Sequence, residues 1–379
     1  MKKVFSDPGI KFFISVVGII VIFIVLKELQ HIFIPLVIAY FLFFVFEPLN
    51  NFLTKKKIPY GIAIFADIVL IVGVLWAISR VIVDSFSRLG EELPYYQQKL
   101  DSIIIKTAKS FGLNDEFFSE FNFNSLLSEL DYGGIASGFF SSTLSLFSTV
   151  FFVLFFFIFV STGHKNILEA IKKRFVEKNV DSSLEEFKKK RKPKSETDQN
   201  GDINGELEQI KKTRAAVIEG TFRDITSQIQ GYIATKFLIS LTTGALVSVI
   251  LWLFGVDFVV VWGVLTFLLN FIPNIGSVIA VILPGLMTLV QFESFGYTIL
   301  IILIIIGVQN VIGNILEPKI VGDQLGLNPL VILLSLLVWG YIWGIVGMFL
   351  SVPLTAIVKI TISNSNSKNM KFLSDLMGN

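Results

Sequence analysis

The sequence predicts an all-α, polytopic membrane protein of about eight transmembrane helical segments, with broken or hairpin helices in its C-terminal half. Three observations carry that expectation. Of 379 residues, 53% are hydrophobic and only 16% are charged, against roughly 25% charged in a soluble domain. Eight apolar stretches approach or exceed the roughly 20 helical residues needed to cross about 30 Å of hydrocarbon: 10–26, 32–49, 61–83, 138–162, 237–254, 258–290, 297–316 and 329–361. These stretches hold only five charged residues, Lys11, Glu47, Asp67, Arg80 and Lys359. The remaining charges crowd into loops and tails, as two different solvents require.

Composition also excludes function classes. There is no Cys and only two His, His31 and His164, so disulfide frameworks, thiolate metal sites, cysteine nucleophiles and imidazole clusters are not expected. No cofactor or metal site is expected. Lys plus Arg number 32 against 30 Asp plus Glu, a balance that gives no general attraction to nucleic acid. No nucleophile with a base, and no pair of carboxylates on facing spans, points to an enzyme.

Taken in order, the first stretch follows Lys2 and Lys3 as a secretory signal would. It runs into Lys27-Glu28-Leu29-Gln30-His31 without a small-residue cleavage site, so it reads as a retained membrane helix. Lys and Arg in short flanks mark cytoplasmic loops. Lys2, Lys3 and Lys11 place the N-terminus inside, and Lys55-Lys56-Lys57 place the turn after the second stretch inside as well. Residues 1–83 therefore form an N-terminal transmembrane unit. Residues 84–137 carry four Lys or Arg against nine Asp or Glu and read as extracytoplasmic. Leu89, Leu93, Tyr96, Leu100 and Ile103 give this segment a helical apolar stripe. Residues 138–162 return through the membrane.

Residues 163–236 are expected on the cytoplasmic side. Within them, 177–212 contains Lys188-Lys189-Lys190-Arg191-Lys192 and almost no bulky apolar residues, which predicts a disordered charged insertion. Ile218, Phe222, Ile225, Ile229 and Tyr232 then form an amphipathic elbow helix. A C-terminal transmembrane core spans 237–361, and 362–379 is a cytoplasmic tail with Lys368 and Lys371. Two stretches in that core, 258–290 and 329–361, are 33 residues each, about 50 Å as continuous helix. Each is a kinked crossing or a hairpin. Pro273 and Gly276 interrupt the first, and Gly340, Gly344, Gly347 and Pro353 punctuate the second.

Polar groups within hydrocarbon are costly and therefore mark candidate sites. Asn270, Pro273, Asn274, Gly276 and Ser277 bracket one break. Gln309, Asn310 and Asn314 share a helical face ahead of Glu317-Pro318. These ten residues are the candidate substrate-binding set, because broken helices free backbone groups that can line a cavity. Glu317, Asp67 and Asp257 are the carboxylates available for ion coupling. Asp67 also has the alternative of a helix-packing contact, and Arg80 with Asp84 reads as a structural pair.

The stretches Phe267-Leu268-Leu269-Asn270-Phe271-Ile272-Pro273-Asn274-Ile275-Gly276-Ser277, Asn314-Ile315-Leu316-Glu317-Pro318-Lys319-Ile320-Val321-Gly322 and Gly347-Met348-Phe349-Leu350-Ser351-Val352-Pro353-Leu354 resemble the autoinducer-2 exporter family of bacterial inner-membrane permeases. The likeness implies a multi-pass transporter of even topology and a homo-oligomer, and the Lys-rich flanks place both termini in the cytoplasm. It implies a small polar solute such as autoinducer-2, with sodium/proton antiport as the alternative. A membrane scaffold without transport is the reading from another class. Partners are thus a small molecule or ion and the lipid bilayer, not nucleic acid.

Overall fold

The computed structural model describes residues 8–112, 147–164, 203–321, 325–363 and 368–378, with single positions 145, 166, 169 and 170. Among the described residues there is no strand. The helices are α1 (Pro8–Glu28), α2 (Gln30–Lys55), α3 (Tyr60–Ser110), α4 (Phe147–His164), α5 (Ile203–Leu253), α6 (Val259–Leu269), α7 (Ile275–Phe292), α8 (Phe295–Asn310), α9 (Glu317–Val321), α10 (Pro329–Ser363) and α11 (Lys368–Met377). Among the described residues, seven helices are long and apolar enough to cross a membrane. The chain is an all-α multi-pass membrane protein, as its composition predicts.

One end of the bundle, the near end, carries the α2–α3 turn. The opposite, far end carries the turn from α5 to α6. Helix α3 is 51 residues long, about 77 Å by its rise, so its second half projects beyond the far end. The segment expected to begin at residue 84 is thus no separate element as far as Ser110. Helix α5 is also 51 residues and extends from the near end. Its N-terminal turns take in 203–212, which were expected to belong to a disordered insertion. Once a stable membrane helix exists, each added residue gains a hydrogen bond without a new nucleation cost, and the Glu208 to Lys212 spacing suits an i,i+4 pair. The rest of that insertion, and 113–144, lie outside the described residues.

Both 33-residue stretches fold back on themselves. In the first, α6 is only 11 residues, about 16 Å, and α7 returns beside it. The return is fixed at the far end, where the Asp257 amide donates to Gln291 Oε1 at 2.8 Å and Gln291 Nε2 donates to the Gly255 carbonyl at 2.9 Å. In the second, α10 reverses at Gly344, with φ 61° and ψ −140°. Trp339 Nε1 consequently donates to Thr355 Oγ1 at 3.1 Å. At the base, Lys359 Nζ donates to the Gly326 carbonyl. The hairpins enter from opposite ends and meet where Phe271 stacks on Phe349, ring centroids 4.2 Å apart, with Phe41 of α2 edge-on to both.

The remaining helices hold this pair. Ala39, Phe43, Ile64, Ile71, Phe157 and Val160 pack α2, α3 and α4 together. Val247, Leu251, Ile301 and Ile305 pack α5 against α8. Trp339 and Trp343 of α10 sit among Leu26, Phe33, Ile34 and Val37, which ties the tip of the second hairpin to α1 and α2. Arg80 and Asp84 approach to 3.9 Å, both well exposed, as expected of a surface pair worth little.

Candidate functional site

The site grows from the break between α6 and α7. Pro273 cannot donate a backbone hydrogen bond and biases Ile272 away from helix, so the chain is able to turn here. It turns tightly: the Ile275 amide donates to the Pro273 carbonyl at 2.6 Å, and Asn274 between them has φ 59° and ψ −52°. This is a γ-turn with positive φ, a rare and strained form. It is held by a non-glycine residue whose side chain opens into a cavity. Gly276 permits the turn, since a Cβ there would lie 1.7 Å from the Leu269 carbonyl oxygen.

A cavity of about 380 Å³ lies toward the near end, walled by Asn270, Pro273, Asn274, Ser277, Asn314, Glu317 and Pro318 together with Tyr232 and Lys236 of α5 and the base of the second hairpin at Leu325 to Leu327. A second cavity of about 500 Å³ lies between α7 and α8 and is bounded at one end by Gln309, Asn310 and Asn314. Asn274, Ser277, Gly313 and Asn314 line both, so the two are parts of one groove.

Helix α8 reaches this groove irregularly. After Asn310 the backbone widens into a π-helical segment, Val311–Leu316, before α9 begins at Glu317. Single π-turns of this kind often accompany functional positions. Asn314 Nδ2 donates to Asn310 Oδ1 at 2.7 Å, and Asn310 Nδ2 donates to the Ile306 carbonyl at 3.0 Å. Asn270 Nδ2 donates to Ser240 Oγ at 3.0 Å, fixing the hairpin tip on α5. Both amide atoms of Gln309 are buried without a hydrogen-bond partner.

The groove contains an ion pair. Lys236 Nζ lies 2.5 Å from Glu317 Oε1, with side chains 9% and 22% exposed. Removing either partner would leave a poorly solvated charge. Lys236 stands directly before an apolar stretch and drew no site assignment from the sequence. The available signal was its spacing: Tyr232, Lys236 and Ser240 recur every four residues on one face of α5. Gly313 was missed for another reason: glycine has no side chain to notice, yet a Cβ added to it meets nothing within 4 Å.

All ten candidate substrate-binding residues gather at the groove, with Gly276 supporting it rather than lining it. The three candidate carboxylates do not gather. Only Glu317 lines the groove. Asp67 is fully buried between α2 and α3, accepting from Asn50 Nδ2 at 2.7 Å. Asp257 sits at the far end, accepting from the Tyr96 hydroxyl at 2.9 Å. Beside it, Ser102 donates to Glu293 and Lys106 pairs with Glu293, each at 2.9 Å. These bonds clamp the projecting part of α3 onto the open end of the first hairpin. Among the described residues, no group of three or more His, Cys, Asp or Glu is placed to hold a metal ion.

A helical membrane bundle whose broken helices surround a polar groove defines a multi-pass membrane protein with room for a small solute. Comparison with known proteins specifies the class further. The model of the AI-2E family transporter matches residues 12–192 and 205–367, and the chain belongs to that family of transport proteins, not enzymes. A relative from Borreliella burgdorferi is 29% identical over 375 residues, covering 96% of this chain and 91% of its own. YhhT of Escherichia coli strain K12 is 29% identical over 365 residues, covering 94% and 91%. Both carry the name "Putative transport protein". The AI-2 transport protein TqsA of Escherichia coli strain K12 is 47% identical over 137 residues, which is 36% of this chain and 40% of that one.

Proposed function

We propose that this transporter moves a small, uncharged polar solute of the autoinducer-2 kind, and that the groove between α5, the first hairpin and α8 is its binding site. The observation that carries the reading is the joining of two cavities through Asn274, Ser277, Gly313 and Asn314. Amide and hydroxyl groups bind a hydroxylated solute by exchanging donors and acceptors, without the desolvation cost of a formal charge. The partial likeness to TqsA supports the choice of solute.

In the same proposal the protein lies in a bacterial inner membrane with both termini cytoplasmic, following the Lys-rich flanks at the near end. The groove then lies toward the cytoplasm, which suits capture from inside and export. Homo-oligomerisation is carried from the family resemblance. The particle mass of the detergent-solubilised protein tests it.

Flux of labelled autoinducer-2 in proteoliposomes, with and without ion gradients, tests the solute reading. Replacing Gly313 by Leu fills the space shared by the two cavities, so flux falls at least tenfold while the melting temperature changes little. Normal flux in Gly313→Leu would remove the groove from the pathway. The second reading, sodium/proton antiport, rests on Glu317 standing in the groove. Its pairing with Lys236 already neutralises the carboxylate, which favours the uncharged solute. Gradient-driven sodium exchange that vanishes in Glu317→Gln would reverse that preference.

A further inference from the structure

The 500 Å³ cavity differs from its neighbour in chemistry. Lys236 and Glu317 line only the smaller one, and no ionisable residue lines the larger. Its wall is polar at one end and apolar at the other, where Val278, Val281, Ile282, Ile302 and Ile306 stand. At the polar end, Asn310 and Asn314 already spend hydrogen bonds on each other and on the Ile306 carbonyl. Gln309 spends none: its Nε2 and Oε1 are both buried and both without a partner. A buried amide left in that condition is costly. It needs an acceptor and a donor on neighbouring atoms, because its own donor and acceptor share one carbon.

Resting on the solute-site reading above, we propose that Gln309 is the specificity-determining residue, recognising two adjacent hydroxyls of an uncharged solute whose carbon edge faces the apolar end. The amide C=O accepts from one hydroxyl and the NH2 donates to the other. A solute lacking either hydroxyl leaves half the amide unsatisfied, which is the circumstance in which a hydrogen-bonding site discriminates strongly. An apolar pocket alone separates such solutes far less well.

The test is competition against labelled autoinducer-2 flux by two furanoid competitors, 1,4-anhydroerythritol, which carries a vicinal diol, and 3-hydroxytetrahydrofuran, which carries one hydroxyl. In the wild type the diol competes at concentrations about tenfold to a hundredfold lower. In Gln309→Met, similar in length but without the amide, the two compete within about twofold of each other, through loss on the diol side. A merely structural Gln309 would weaken both competitors equally and keep their ratio. If the wild type moves autoinducer-2 but shows no diol preference, or Gln309→Met retains that preference, the assignment to Gln309 is overturned and the solute site stands. If the wild type moves no autoinducer-2, the solute-site reading falls and takes this inference with it.

Discussion

The hairpin of α6 and α7 turns through Asn270 to Asn274 and keeps a non-glycine residue at positive φ, whereas α10 turns at Gly344 with φ 61°. At Gly344 the residue suits the backbone, and its neighbours are tryptophans packed on α1 and α2. At Asn274 the residue does not suit the backbone, and it lines both cavities. Strain of this sort persists where the surroundings over-determine it, and it clusters at functional positions. The difference separates two roles within one architecture. One re-entrant hairpin turns polar groups into the groove, and the other packs its tip on α1 and α2.

The largest effects should strike what the hairpins share. Each has a glycine just past its reversal that meets a carbonyl of the opposing limb: a Cβ at Gly276 would lie 1.7 Å from the Leu269 oxygen, and one at Gly347 would lie 1.9 Å from the Trp339 oxygen. Backbone cannot step aside as a flexible side chain can, so Gly276→Ala and Gly347→Ala should each cost about 3 kcal/mol. Thermal unfolding in detergent measures this. Equal losses would sharpen the shared geometry; a harmless Gly347→Ala would break it.

The next effect belongs to the groove that the polar hairpin lines, where α5 and α9 share an ion pair. Lys236→Met leaves Glu317 without its cation and should destabilise by about 2–3 kcal/mol, and adding Glu317→Gln should restore most of the loss. No such rescue is available around Gly344. A smaller change of opposite sign is expected from Asn274→Gly. Glycine relieves the turn and should raise stability by about 1 kcal/mol, while autoinducer-2 flux falls because a groove amide is gone. A variant that gains stability and keeps full flux would show that Asn274 is only a turn residue.

The smallest effect lies at the clamp on the far end. The hydrogen bonds from Lys106 and Ser102 hold the Glu293 carboxyl below the usual carboxylate range. A group with a depressed folded pKa stabilises fully above its unfolded value, about 4.3, and loses that contribution as pH falls through the lower folded value. Because Lys106 is largely exposed, Glu293→Gln should remove only a few tenths of a kcal/mol. The difference from wild type should appear at neutral pH and fade under acid. A difference that grows on acidification would reverse the assigned sign.

Much of the fold was legible because its signals are local. An apolar stretch, a Lys-rich turn and a Pro-Asn break each declare themselves within a few residues. The polar face of Gln309, Asn310 and Asn314 was legible for the same reason. Lys236 was not, since its importance comes from Glu317, 81 residues away. Asp67 and Asp257 illustrate the converse. As carboxylates in or beside apolar stretches they invite an ion-coupling role, yet their partners, Asn50 and Tyr96, place them outside the groove.

The sequence alone determined that this chain lives in lipid and that its C-terminal half breaks its helices around uncharged polar residues. Those properties follow from solvation and backbone hydrogen bonding, which act residue by residue. Only the tertiary structure decided that both 33-residue stretches are hairpins rather than kinked crossings, that their tips meet at Phe271 and Phe349, and that one ion pair enters the groove. A proline or glycine permits a reversal without requiring it. The choice is made by whether the two limbs find better packing and hydrogen bonds against each other and their neighbours, as Gln291 finds Asp257 and Trp339 finds Thr355.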